Sequence, residues 1–261
     1  MKKYKKISND LLAEYDLRNA DNSEFWADHW GNQSIEVALK KSLTGYLGAT
    51  DFILEELNKE GKILEAGCGK GQIVAALKTR GYKVTGLDFA ESTINDIKRF
   101  QPDLDVVEGN LKNIPFEDKH FSAYLSFGVI EHFINQSEVK EILDEAIRVT
   151  KDRVFISVPY LSKGVRKSFE NKKVEEYNGE GNFYQYYFGE KEIEKYLESF
   201  GLKPYKKVFY ATHIGLKRHH SLYKFMMKFS IFRSVAMKSR RFTDKMLGRK
   251  YAHMIGVWCK V

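Results

Sequence analysis

Between residues 62 and 158 short apolar runs alternate with amphipathic stretches, and that rhythm constrains the fold more than any other feature of the chain. Residues 62–66, 83–87, 104–107, 121–127 and 153–158 read as strands. Ile73, Val74 and Leu77 mark one face of a helix that ends at Gly81, and residues 92–100 and 137–149 read as further helices. Strand and helix alternating at this pace predict a parallel sheet with helices on both faces, because each strand must cross over to reach its parallel neighbour.

After Pro159 the rhythm breaks. Residues 162–187 are polar and aromatic with Gly179 and Gly181, and read as a long loop; residues 190–200 return to helix. Residues 204–212 and 251–261 read as two final strands, paired antiparallel at one sheet edge. Residues 34–47 and 50–57 carry apolar side chains at helical spacing, and the first sixty residues as a whole read as helical. The expected organisation is a helical extension over 1–60 packed on one α/β domain over 61–261. That domain is doubly wound, with a mostly parallel seven-stranded sheet.

The 261 residues, 43% of them hydrophobic, suffice to bury one large core. The N-terminus reads Met-Lys-Lys-Tyr-Lys-Lys without the apolar stretch of a secretion signal, and no run of about twenty uncharged apolar residues occurs. Cys68 and Cys259 stand far apart with no metal-ligand spacing, so no metal is expected and a reducing cytoplasm fits. The net charge of +8 is unevenly spread. Residues 213–250 hold eleven Lys and Arg against one acid, Asp244, while the remainder holds 32 bases and 34 acids.

The strongest local signal is Glu65-Ala66-Gly67-Cys68-Gly69-Lys70-Gly71, set between a strand and a helix. Glycines there allow a sharp turn and close approach of a ligand to the backbone, at the crossover where nucleotide-like ligands bind in such sheets. Asp88 ends the next strand, where a carboxylate can accept hydrogen bonds from both ribose hydroxyls. A dinucleotide fingerprint would need a third glycine where Gln72 stands, and a phosphate-binding P-loop would need Gly-Lys-Ser/Thr where the chain has Gly69-Lys70-Gly71. Glu65 would repel a pyrophosphate and suits a ligand bearing an ammonium and a sulfonium, which points to S-adenosylmethionine.

Taken with Gly109-Asn110-Leu111 and Phe127-Gly128-Val129-Ile130-Glu131-His132, these motifs resemble the class I S-adenosylmethionine-dependent methyltransferases. The similarity runs roughly over 62–202 and is greatest to the small-molecule group that includes quinone-type enzymes. It implies a Rossmann-like methyltransferase fold. It further implies that Gly67, Cys68 and Gly69 pass the backbone close to the methionine part, with Glu65 ordering the loop. Asp88 would hold the ribose, Phe89 would pack beside the adenine, and Asn110 and Leu111 would line its edge. Many relatives have Asp at the position of Asn110. Phe127 would close the end of the fourth strand against the cofactor.

Methyl transfer needs a nucleophile held in line, and a base only when the acceptor must lose a proton. His132 is the candidate base, since an unperturbed imidazole titrates near neutral pH; packing against the cofactor is the other role open to it, and Glu131 reads as structural or as its partner. The aromatic runs 25–30 and 183–188 read either as covers for the site or as packing of extra helices.

In the basic stretch Leu222, Phe225, Met226, Phe229 and Phe232 recur at helical spacing beside Lys224 and Lys228. A wide apolar arc with bases resembles a helix lying on an anionic membrane. A buried lid or dimer contact is the plainer reading, and nucleic-acid binding ranks third because no RNA-binding module accompanies it. The expected activity is methyl transfer to a small or lipid-linked acceptor, most readily at oxygen. The alternatives are an RNA-directed enzyme and a catalytically silent cofactor-binding protein. The expected location is cytoplasmic, peripheral on the inner membrane surface if the basic stretch docks there; oligomeric state is left open.

Overall fold

The computed structural model describes residues 3–16, 34–170 and 182–261. The described part opens with two strands, β1 (Lys3–Lys6) and β2 (Leu11–Asp16), paired antiparallel. Where residues 1–60 read as helical, the described chain is helical only at α1 (Ile35–Leu39) and in 3-10 turns at Ser42–Thr44 and Gly48–Glu55. Residues 11–16 include good helix formers, so the strand there is imposed by tertiary pairing rather than by propensity. The aromatic run 25–30 lies outside the described residues.

Then follow β3 (Lys62–Ala66), α2 (Gln72–Thr79), β4 (Lys83–Asp88), α3 (Glu91–Phe100), β5 (Val106–Glu108), β6 (Phe121–Phe127), α4 (Gln136–Val149) and β7 (Thr150–Pro159). Where a long loop was expected, the chain forms α5 (Lys163–Glu170) and β8 (Asn182–Phe188). The aromatic content of 183–188 favours a strand once a partner is available, and β2 supplies it, with Ala13 opposite Tyr186 and Leu11 opposite Phe188. Next come α6 (Glu190–Ser199) and β9 (Lys203–Tyr210). The basic stretch follows as four short helices, α7 (Thr212–His219), α8 (Ser221–Met226), α9 (Ser230–Lys238) and α10 (Arg240–Tyr251), before β10 (Met254–Lys260). One continuous amphipathic helix is thus replaced by segments broken near His220, Met227 and Ser239.

The main sheet has seven strands in the order β5-β4-β3-β6-β7-β10-β9. β3 to β7 are parallel, and β10 runs antiparallel between β7 and β9, as expected for the last pair. The order reverses between β3 and β6, which opens a crevice at their carboxyl ends. A second sheet, β1-β2-β8, stands beside that end. It is pinned by the backbone bond from Leu161 N to Phe188 O (2.8 Å), the bridge of Tyr160 to Phe188, and the ion pair Arg166–Asp10 (2.6 Å).

Strands buried on both faces read as nearly continuous apolar runs, and the two faces here feed two cores. Val139, Ile142, Leu143 and Ala146 of α4 cover Leu64, Tyr124, Ile156 and Val257. Val74 to Leu77 of α2, with Ile94 and Ile97 of α3, cover Ile63, Leu125, Phe155 and Trp258. Trp258 is fully buried, with its ring centroid 4.9 Å from that of Phe155.

Candidate active site

The loop after β3 turns because its glycines adopt left-handed conformations: φ is 76° at Gly67, 49° at Gly69 and 70° at Gly71. Gly67 N and Cys68 N donate to Leu87 O at 2.8 and 3.0 Å, which anchors the loop to the end of β4. A Cβ on Gly67 would sit 2.5 Å from Val129 Cγ2, so only glycine lets the loop reach the segment after β6. Glu65 is almost fully buried and accepts the Val74 N–H of α2 at 3.1 Å, which ties the strand end to the helix start. Burial pushes its carboxyl up to about 8.

Asp88 closes β4 with both oxygens engaged: Gly69 N donates to Oδ2 (2.8 Å) and Ala90 N to Oδ1 (3.1 Å). Burial raises its pKa, and these backbone bonds oppose that rise. Phe89 beside it is exposed. Asn110 is exposed and its Oδ1 accepts the Lys112 N–H (2.9 Å), so one acceptor of this amide orders its own turn; Leu111 is half-buried next to it. Cys68 is buried in the α2–α3 core beside Gly86, and burial pushes its thiol well up, so it contributes backbone rather than a thiolate. Phe127 ends β6 with its ring 5.1 Å from Phe155.

His132 lies in a single 3-10 turn, Ile130–His132, just past β6. Its Nδ1 is 2.6 Å from the Tyr184 carbonyl oxygen, and the two rings meet edge-on at 5.2 Å. A carbonyl only accepts, so this contact puts the hydrogen on Nδ1 and makes Nε2 the basic nitrogen. The tautomer is therefore set by β8, a strand that belongs to the other sheet.

All ten residues singled out in the sequence line one cavity of about 1140 Å³ at the carboxyl ends of β3, β4 and β6. Ligand pockets generally measure roughly 300–1,000 Å³, so this one has room for a nucleoside-sized molecule and a second reactant. Sequence reasoning did not place Arg218 or His253 at the site. Tyr184 falls in the aromatic run read as a cover for the site or as packing, and its place on a strand was hidden because 162–187 read as loop. Glu131 is buried (1% exposed), its pKa pushed up to about 8 by burial, and its Oε2 finds no hydrogen-bond partner among the described residues. Arg218 of α7 and His253 before β10 enter the far wall, with Arg218 Nη1 3.3 Å from His253 Nε2. Burial and neighbouring cations push His253 down to about 4, so it is neutral at pH 7. Only the return of the chain through the insertion brings these two to the site. Among the described residues no group of three His, Cys, Asp or Glu side chains is placed to hold a metal ion.

A glycine-turned crevice at the reversal of a seven-stranded sheet, with a carboxylate closing the neighbouring strand, is the arrangement in which α/β domains receive nucleotide-like ligands. Residues 64–158 match the methyltransferase domain family. A demethylmenaquinone methyltransferase of Paenarthrobacter aurescens is 34% identical over 91 residues, 34% of this chain and 34% of that protein. Another, of Thermotoga maritima, is 28% identical over 167 residues, 62% of this chain and 64% of that protein. The chain spans 34–37% of the length of the first curated relatives it matches. An S-adenosylmethionine-dependent methyltransferase structure from Methanosarcina mazei superposes with a TM-score of 0.55 at 17% identity, covering 82% of this chain and 98% of that one, which shows the shared fold. Residues 64–158 are thus similar in sequence to methyltransferase domains, and the fold around them is shared with an S-adenosylmethionine-dependent methyltransferase structure.

Proposed function

We propose that this protein transfers a methyl group from S-adenosylmethionine to a small or lipid-linked acceptor, at oxygen, with His132 as the base. The observation that carries the reading is the Tyr184 carbonyl on His132 Nδ1, in the same cavity as the glycine loop and Asp88. A neutral imidazole with a basic Nε2 is what deprotonation of an acceptor hydroxyl requires.

The donor set fits the cofactor. Gly67, Cys68 and Gly69 offer backbone to its methionine part, and Asp88 accepts from the ribose. Phe89, Asn110 and Leu111 flank the adenine, and Phe127 closes the strand end. Glu65 orders the loop, and the carboxyls of Glu65, Asp88 and Glu131 on one wall suit a cationic ligand. An ammonium close to Glu65 favours its ionised form and reverses the rise that burial causes. When bound, S-adenosylmethionine supplies an electrophilic methyl on a sulfonium. His132 Nε2 takes the proton of an acceptor hydroxyl, while β8 and the 3-10 turn hold the imidazole in place.

Both relatives described above are named for demethylmenaquinone, which supports an acceptor of the quinone type. Among the described residues no helix is long and apolar enough to cross a membrane.

Calorimetry with S-adenosylmethionine tests the cofactor assignment: Asp88→Ala should weaken binding by about 100-fold, the loss of two charge-assisted hydrogen bonds. Unchanged affinity removes Asp88 from the site. His132→Gln should lower methyl transfer while cofactor affinity stays within about twofold; equal loss in both assigns His132 to packing.

A further inference from the structure

The insertion between β9 and β10 has two unlike sides. Its inner side is clamped. Arg240 and Arg241 reach Asp51 at 2.8 and 3.0 Å, and Arg249 reaches Glu190 at 3.0 Å. Gly248 lets α10 close on Phe209, where a Cβ would lie 2.6 Å from the Phe209 Cβ. Asp244, the one acid of the stretch, is half-buried and accepts the Thr212 N–H at 2.9 Å.

The outer side is left bare. α8 and α9 bury no residue. Eight of the fifteen large apolar side chains exposed among the described residues fall between 222 and 247, including Leu222, Phe225, Phe229, Ile231, Val235 and Phe242. Lys224, Lys228, Arg233, Lys238 and Lys245 stand exposed among them, and none has a carboxylate within ion-pair distance among the described residues.

We propose that this outer face of α8, α9 and α10 docks on an anionic lipid bilayer. Apolar side chains mixed with unpaired cations are the composition of an interfacial surface, where the hydrocarbon boundary takes the one and lipid headgroups neutralise the other. A second copy of the chain fits poorly, because a self-complementary contact would set these cations against each other without acids to offset them. Nucleic acid would engage the cations but leave the Leu222, Ile231 and Val235 side chains without a use. Arg218 lines the cavity and stands three residues before α8 begins, so a docked molecule would hold the cavity's far wall next to the lipid surface. The link to a lipid-linked acceptor rests on the function proposed above; docking itself does not.

The test is flotation of the full chain with phosphatidylcholine vesicles, with and without phosphatidylglycerol, beside calorimetry with S-adenosylmethionine on the same samples. The protein should float with the anionic vesicles and weakly with the neutral ones, and added salt should release it. Each of Lys224→Gln, Lys228→Gln and Lys238→Gln should lower anionic-vesicle affinity about fivefold. Phe225→Ser with Phe229→Ser should lower it further, with cofactor affinity unchanged throughout. The proposal is overturned by no flotation, by flotation indifferent to these variants, or by a dimer that the Phe225→Ser, Phe229→Ser pair disperses without any lipid binding. RNA binding in place of flotation overturns it equally. Absence of cofactor binding in a protein that still floats would instead strike the proposed enzymatic function and leave docking standing.

Discussion

The crevice and the insertion are built on opposite terms. Around the crevice, apolar side chains from β3, β6, β7 and β10 are buried on both sheet faces, and the polar groups are held by backbone bonds such as Gly69 N to Asp88. In α8 and α9 no side chain is buried, and the neighbouring helix α10 is tied inward by three arginine ion pairs, the Asp244–Thr212 bond and the approach of Gly248 to Phe209. The first region is organised by its own interior. The second has an apolar surface that the described chain does not satisfy, the mark of a region shaped for contact with something else.

The contrast breaks first at the core. Trp258→Ala, at a fully buried site, should cost about 3–5 kcal/mol of unfolding free energy in a denaturant titration. A loss below about 1 kcal/mol would mean that the core packs less tightly than the structure has it.

A smaller effect concerns the two buried carboxyls. Glu65 and Glu131 are raised from an ordinary 4.5 to about 8. Over that window the folded chain keeps protons that the unfolded chain has released, so each carboxyl makes stability fall as pH rises. His253, lowered from 6.5 to about 4, acts the other way, but only below pH 6.5. Between about pH 6.5 and 8 the carboxyls therefore dominate. Thermal unfolding without cofactor should show a falling Tm there, with about 2 kcal/mol per carboxyl at stake. Glu65→Gln and Glu131→Gln should each flatten the slope, and a slope unchanged in both variants would refute the assignment.

The smallest effect sharpens the other half of the comparison. Phe225→Ser should change stability in solution by less than about 0.5 kcal/mol, because its ring is already exposed. A larger loss in the same denaturant titration would show that the face is already covered by another surface.

Legibility followed the range of the interactions. The β3 loop and Asp88 could be read directly because a left-handed turn needs glycine locally, and the carboxylate that meets it closes the next strand. The β1 and β2 strands, β8 and the breaks in the basic stretch could not. Leu11 to Asp16 contains good helix formers, and its strand is held between β1 and a β8 that lies more than 160 residues away. The basic stretch shows one wide apolar arc in the sequence, yet contacts with Asp51, Phe209 and Glu190 decide which side of α10 faces inward.

The amino-acid order alone determined the alternating α/β plan, the glycine turn, the carboxylate after it and the concentration of positive charge, since all of these rest on neighbouring residues or on composition. Only the tertiary structure decided that β8 crosses the crevice to orient His132, that Glu131 is buried with an unanswered oxygen, and that Arg218 and His253 complete the far wall. Each of those depends on segments far apart in the chain meeting in space. The hydrogen bonding and desolvation that give them their chemistry exist only once the fold has closed.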